Sequence, residues 1–186
     1  MTAIDIRPLA GSAETIETLA EILVETVAAG GSVSFMHPLS LDAAKTFWTE
    51  AMAAALRGER AILGAFDNDA LVGTVTLLLN LPPNQPHRAE IAKLMTRHSH
   101  RGRGIATRLM LAAEELAIRQ QRTLLVLDTA TDGGAGSLYK RLDFTLAGEI
   151  PDYALKPHGG LSGTLLFWKR IGSSDPSLAV ATAMEA

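Results

Sequence analysis

The run from Lys93 to Leu109 constrains this chain more than any other stretch. A strand pattern, Ala89-Glu90-Ile91-Ala92-Lys93-Leu94-Met95, enters a basic glycine-rich turn, Arg101-Gly102-Arg103-Gly104, which opens an amphipathic helix. A turn of this kind presents backbone N–H groups at a helix N-terminus, where the helix dipole favours an anion. The two glycines let the backbone approach a phosphate closely, and Arg101, Arg103 and Arg108 add positive charge. A pyrophosphate-bearing ligand is the implied occupant.

Three phosphate-binding patterns compete for this loop. A P-loop needs G-x-x-x-x-G-K-[ST], and the chain has no such run. A dinucleotide fingerprint needs a third glycine where Thr107 stands, together with an N-terminal location that the preceding helices and strands deny. The third pattern fits. Arg101-Gly102-Arg103-Gly104-Ile105-Ala106 resembles the R-x-x-G-x-[G/A] signature of the GNAT N-acetyltransferase superfamily, whose loop binds the pyrophosphate of acetyl-CoA.

The resemblance extends over about residues 4–171. A second strand, Thr123 to Asp128, follows the helix, and Ala135-Gly136-Ser137-Leu138-Tyr139 resembles the family's A-x-x-x-Y segment. Leu142-Asp143-Phe144 departs from the usual Gly-Phe ending at Asp143. Glu25-Thr26-Val27, Gly30 to Met36 and Gly148 to Tyr153 look like the tabtoxin-resistance type of acetyltransferase, which acetylates a small amine-bearing β-lactam toxin. The implied fold is α/β with a mixed, mostly antiparallel sheet, one parallel βαβ unit and helices on both faces. The implied cosubstrate is acetyl-CoA, with no metal.

Composition narrows the setting. The 186 residues suit one domain, read as residues 1–171, followed by a small, Ala-rich tail from 172 to 186 expected to be disordered. A net charge of −3, with arginines gathered at one loop, argues against nucleic-acid binding. No run has the apolar length of a membrane span, and no basic-then-apolar leader opens the chain. The absence of cysteine excludes an acetyl-cysteine intermediate and agrees with a cytoplasmic location. Homodimerisation is left open.

Periodicity predicts the element order β-α-α-β-β-β-α-β-α-β-β. The expected elements are a strand at Ile4–Pro8, helices from Ser12 to about Ala29 and from about Leu41 to Leu56, and strands at Ala61–Phe66 and Leu71–Leu79 around an Asp67-Asn68-Asp69 turn. The motif helix spans about Gly104 to Arg119 with Ile105, Leu109, Ala112 and Leu116 on one face. Two strands, near Phe144–Ile150 and Thr164–Arg170, close the domain.

An acceptor amine must lose a proton before it attacks a thioester, and a nearby carboxylate can take it. Glu90 stands where the family often places its base. Strict alternation would put Glu90, Ala92 and Leu94 on one face and Ile91, Lys93 and Met95 on the other. The alternative for Glu90 is an ion pair with Lys93 or Arg88. Asp128, at a strand's C-terminal end, can share the base role or cap the following turn. Together the two carboxylates imply an acidic pocket suited to a small cationic amine. Tyr139 matches the family tyrosine beside the CoA sulfur; otherwise it is a core aromatic.

By the same resemblance, Leu94, Met95 and Thr96 hold the pantetheine on a bulged strand edge, and Arg101 through Thr107 hold the pyrophosphate (Arg101, Gly102, Arg103, Gly104, Ile105, Ala106, Thr107). Phe35 and Met36 are expected to wall the acceptor side, with Tyr153 and the Gly159-Gly160 loop closing it. His98 and His100 read as loop residues and not as a metal pair. Two functions follow: an N-acetyltransferase for a small-molecule amine, or a non-catalytic acyl-CoA-binding sensor on the same fold.

Overall fold

A computed structural model describes residues 4–172; the tail expected from 172 to 186 lies, but for Gly172, outside the described residues. The elements are β1 (Ile4–Pro8), α1 (Ala13–Ala28), α2 (Leu41–Leu56), β2 (Arg60–Asp67), β3 (Ala70–Leu78), β4 (Arg88–Thr96), α3 (Ile105–Arg119), β5 (Leu124–Ala130), α4 (Gly136–Arg141), β6 (Thr145–Leu155) and β7 (Leu161–Arg170). They follow the predicted order. The Ser12 and Ser40 hydroxyls accept from the Thr15 and Ala43 N–H groups at 3.1 and 3.2 Å, so both N-terminal helices start where the cap residues indicated. Asn68, at φ +55°, makes the tight β2–β3 turn.

The strands form one seven-stranded sheet in the order β1-β2-β3-β4-β5-β7-β6. Only β4 and β5 run parallel, with α3 as their crossover. Helix α3 packs a core on one face, against Val72, Val75, Leu77, Ala89, Ile91, Leu125 and Leu127. The other face carries α1 and α2, with Leu19, Leu23, Trp48 and Met52 over Ile62, Phe66 and Met95. Helices therefore cover both faces, as expected. None of the helices among the described residues is long and apolar enough to cross a membrane.

Three sequence expectations shift. On α3 the buried set is Ile105, Leu109, Met110, Ala113 and Ala117, while Ala112 and Leu116 are only partly covered. Alanines at 113 and 117 let the helix lie close to the sheet, which draws the buried stripe toward them. Strands β6 and β7 also run longer than predicted, to Leu155 and from Leu161. Pro151 does not end β6 because the strand lies at the sheet edge and its pairing with β7 is irregular between Ile150 and Ala154.

The third shift is in β4. Thr76 pairs with Ala92 and Thr74 with Met95, so two steps on β3 are matched by three on β4. This bulge sits at Lys93, whose φ is +52°. Alternation breaks there. Leu94 packs with the α3-side core that holds Ile91, and Lys93 turns to the α1/α2 side with Glu90 and Ala92. The face assignment read from strict alternation is wrong for Lys93 and Leu94, and for Met95, which lies in the α1/α2-side core and not with Ile91, because a bulge inverts every side chain beyond it.

Leu109 is fully buried between α3 and the sheet. Leu109→Ala is expected to lower unfolding free energy by about 2–5 kcal/mol. Urea unfolding followed by circular dichroism checks it, and a change under 1 kcal/mol would contradict this packing.

Candidate active site

The site begins where two parallel strands part. Strands β4 and β5 pair only at Arg88 with Leu124, Ala89 with Leu125 and Glu90 with Val126. Beyond Glu90 the two diverge, and from Ile91 to Thr96 the β5 side of β4 has no strand partner. Backbone polar groups left open in this way invite an extended ligand to add as a strand. The bulge anticipated near Leu94, Met95 and Thr96 is present, one residue earlier.

At the end of this opening lies the turn into α3. Gly102 and Gly104 both adopt left-handed φ, +76° and +74°, and no atom lies within 4 Å of where a Cβ would stand on either. Gly104 caps α3 with no side-chain hydrogen bond, so the helix's first N–H groups are left for an external acceptor. Thr96, Arg101, Gly102, Gly104, Ile105, Ala106 and Thr107 line one cleft, facing Gly134, Ser137, Leu138 and Arg141 from α4 and the turn before it.

The arginines divide. Arg101 stays at the cleft, its guanidinium 3.1 Å from the His98 ring. Arg103 is drawn to Asp67 at 2.8 Å, and Arg108 donates to the Ile4 carbonyl at 3.2 Å. Arg141 brings a cation from the opposite wall. The sequence reading missed it because α4 is short and nothing in its composition announces which side faces the loop. The strand-to-helix connection is tied to α1: Arg97 pairs with Glu21 and Glu25, and the His98 N–H donates to Glu25. His98 and His100 are thus anchoring residues of the loop, and no cluster with metal-ligand character occurs among the described residues.

The three residues read as catalytic take distinct settings. Glu90 is half-buried and ion-paired to Arg88 at 3.2 Å, and Arg88 also donates to Gln85. Asp128 is exposed at the C-terminal half of β5 and accepts from the Thr164 hydroxyl at 3.0 Å. By strand register Asp128 lies on the same sheet face as Glu90. Tyr139 is buried, its ring against Phe144 and Phe167. Burial first, then the negative charge of Asp128, pushes its phenol up to about 12.

On the acceptor side, Phe35 packs edge-on against Phe47 with ring centres 5.1 Å apart, while Met36 is exposed. The ammonium of Lys93 lies 5.8 Å over both phenyl rings and donates to the Ser34 hydroxyl at 3.1 Å. Burial lowers the Lys93 pKa, and the charge of Asp128 partly offsets that. Sequence reasoning missed this residue, although a lysine in an apolar strand core was its visible signal. The β6–β7 loop reaches across to the segment between α1 and α2: the His37 N–H donates to the Pro157 carbonyl at 2.9 Å, and the His158 ring bonds the Ala28 carbonyl at 3.0 Å. The loop that carries Gly159 and Gly160 is thus tied to the segment between α1 and α2. Tyr153 stands exposed on β6, with no ring contact to Phe35 among the described residues.

Comparison with known proteins gives a consistent picture. Residues 32–144 match the model of the acetyltransferase (GNAT) family. A streptothricin acetyltransferase of Escherichia coli is 32% identical over 112 residues, which span 59% of this chain and 62% of that relative's length. An N-acetyltransferase from Staphylococcus aureus Mu50 superposes with a TM-score of 0.78 at 19% identity, covering 92% of this chain and 100% of that one. The yncA protein of Salmonella typhimurium, solved with its cofactor acetyl-CoA, does so with a TM-score of 0.75 at 16% identity, covering 94% and 97%. At these identities the two structures show a shared fold.

The setting of Tyr139 has a measurable consequence. Its folded pKa of about 12 lies above the unfolded value of about 10, so its contribution to stability is complete below pH 10 and is lost as pH rises toward 12. Phenolate absorbance should show one tyrosine ionising late, and Tyr139→Phe should remove that step. Ionisation of the Tyr139 phenol near pH 10 would contradict its burial within reach of the charge of Asp128.

Proposed function

Because this chain belongs to the GNAT acetyltransferase family, we propose that it moves an acetyl group from acetyl-CoA to the primary amine of a small molecule by direct attack. The observation that carries this reading is the parting of β4 from β5 beside the uncapped N-terminus of α3, with Asp128 and Tyr139 around the opening. Acetyl-CoA fits these residues: an extended arm suits the open edge of β4, and a pyrophosphate suits Gly102 through Thr107. When bound, it supplies the activated acetyl group.

Each side chain then has a task. Asp128, exposed and in no ion pair among the described residues, takes the proton from the acceptor amine. Glu90, neutralised by Arg88, shapes the pocket and is the weaker base. A β4 backbone N–H past the bulge steadies the charge developing on the thioester oxygen. Tyr139 donates a hydrogen bond to the leaving sulfur. Full proton transfer is disfavoured, since burial holds the phenol at about 12, above the range of an ordinary thiol. With no cysteine in the chain, no acetyl-cysteine intermediate intervenes.

The streptothricin-acetylating relative supports an antibiotic or toxin amine as acceptor. The narrower likeness of Glu25 to Met36 and Gly148 to Tyr153 makes an amine-bearing β-lactam the first compound to assay. A cytoplasmic setting belongs to the same proposal.

Acetyl-CoA is expected to raise the melting temperature of the wild type, and Gly104→Val to abolish most of that rise, because a branched residue resists the left-handed backbone there. In CoA-release assays over an amine panel, Asp128→Asn is expected to lower kcat by roughly a hundred- to ten-thousand-fold. Glu90→Gln should lower it less, and Tyr139→Phe by about ten-fold, the worth of one hydrogen bond. A thermal shift with no CoA release from any amine would favour the acyl-CoA sensor instead. A fully active Asp128→Asn would move the base role to Glu90.

A further inference from the structure

We propose that Lys93, backed by Arg60, is an anion-holding subsite of the acceptor pocket, so that the acceptor is an amine that also carries a carboxylate or a similar anion. This rests on the acetyltransferase reading and refines its substrate class to amino-acid-like molecules.

Most cations near the site are paired. Arg88 has Glu90, Arg97 has Glu21 and Glu25, Arg103 has Asp67, and Lys156 has Asp132, all within 3.6 Å. Lys93 makes no ion pair among the described residues. Its ammonium is held by the neutral Ser34 hydroxyl and two phenyl faces, a costly arrangement for a desolvated charge. Its backbone adds strain, since φ +52° is rarely adopted by a lysine in a strand. Without the bulge, the side chain would point into the α3-side core.

Arg60 repeats the pattern. It lies two residues before Ile62 on β2, hence on the same α1/α2 face, and its buried Nε has no hydrogen-bond partner. Its charge reaches Lys93 and, with burial, holds that ammonium below its usual pKa. The buried Thr76 hydroxyl, paired in register with Ala92 beside the bulge, also lacks a partner. Unsatisfied donors of this kind are expected where a ligand supplies the acceptor.

Charge balance on this face therefore differs from the acidic pocket read from sequence. Arg88 neutralises Glu90, and of the charges that Lys93 feels among the described residues Asp128 is negative and Arg60 positive. Asp128 draws the amine of the acceptor, and Lys93 takes its anionic group. A polyamine would place a second ammonium against Lys93 and be repelled.

The test is CoA release by the purified full chain on matched amines: lysine against cadaverine and ornithine against putrescine. Wild type should prefer the carboxylated member in kcat/KM by roughly ten- to a hundred-fold. Lys93→Met should erase that preference by raising KM for the amino acid, while KM for acetyl-CoA stays put. Lys93→Arg should restore part of it, and Lys93→Glu should reverse it toward the diamine. The melting temperature of Lys93→Met should equal or exceed that of the wild type, which a structural role for the lysine would not allow. Equal turnover of diamines and amino acids, or an unchanged preference in Lys93→Met, overturns the subsite and leaves the transferase standing. No CoA release from any of these four amines overturns the amino-acid-like substrate class, and CoA release elsewhere in the amine panel then keeps the transferase.

Discussion

Everything distinctive about this molecule follows from one interruption in backbone pairing. Strand β4 leaves β5 after Glu90 and gains an extra residue at Lys93 against β3. A parallel strand pair buried on both faces would ordinarily continue its ladder, because unpaired backbone groups away from water are costly. Here the ladder stops, and the two strand ends spread into a cleft with hydrogen-bonding edges. The same bulge moves Lys93 out of the α3-side core and to the α1/α2 side, beside Ser34 and Phe35. The cleft and the placement of Lys93 thus share one structural cause.

Such a break persists only if its surroundings hold it. The two apolar cores clamp the sheet from opposite faces, with Met95 in one and Leu94 against the other, so the strand beyond the bulge cannot slide back into register. Arg97 and His98 then tie the end of β4 to Glu21 and Glu25 of α1. Surface ion pairs add little stability individually. Their value here is positional: they set where the chain turns toward Gly104 and therefore where the α3 N-terminus points.

Electrostatics divides the site into three zones. The α3 N-terminus with Arg101 and Arg141 forms a positive end for phosphates. Asp128 supplies negative charge in the middle, felt both by Tyr139 and by Lys93. Lys93, which feels the charge of Arg60, makes a second positive zone beneath the Phe35–Phe47 pair. One carboxylate thus acts on two neighbours at once, favouring the protonated forms of both the phenol and the ammonium.

Much of this was legible in residue order. The glycine-rich turn after a strand, the caps at Ser12 and Ser40, the Asn68 turn and the single parallel unit all rest on local chemistry: left-handed φ, hydroxyl acceptors and hydrophobic period. Those interactions span a few residues, so sequence alone determined them, together with the family of the chain and the glycine-rich loop that opens α3. The rest depended on residues distant in the chain. That Glu90 is neutralised by Arg88, that Arg103 turns to Asp67 while Arg141 faces the loop, and that Lys93 sits beside Ser34 and Phe47 were settled by packing. A bulge leaves no mark in composition, since one extra residue inverts the faces of a strand without changing its residues. Tertiary structure alone decided which charges meet in the pocket, because an ion pair or its absence is fixed by distance in space and not by spacing in the chain.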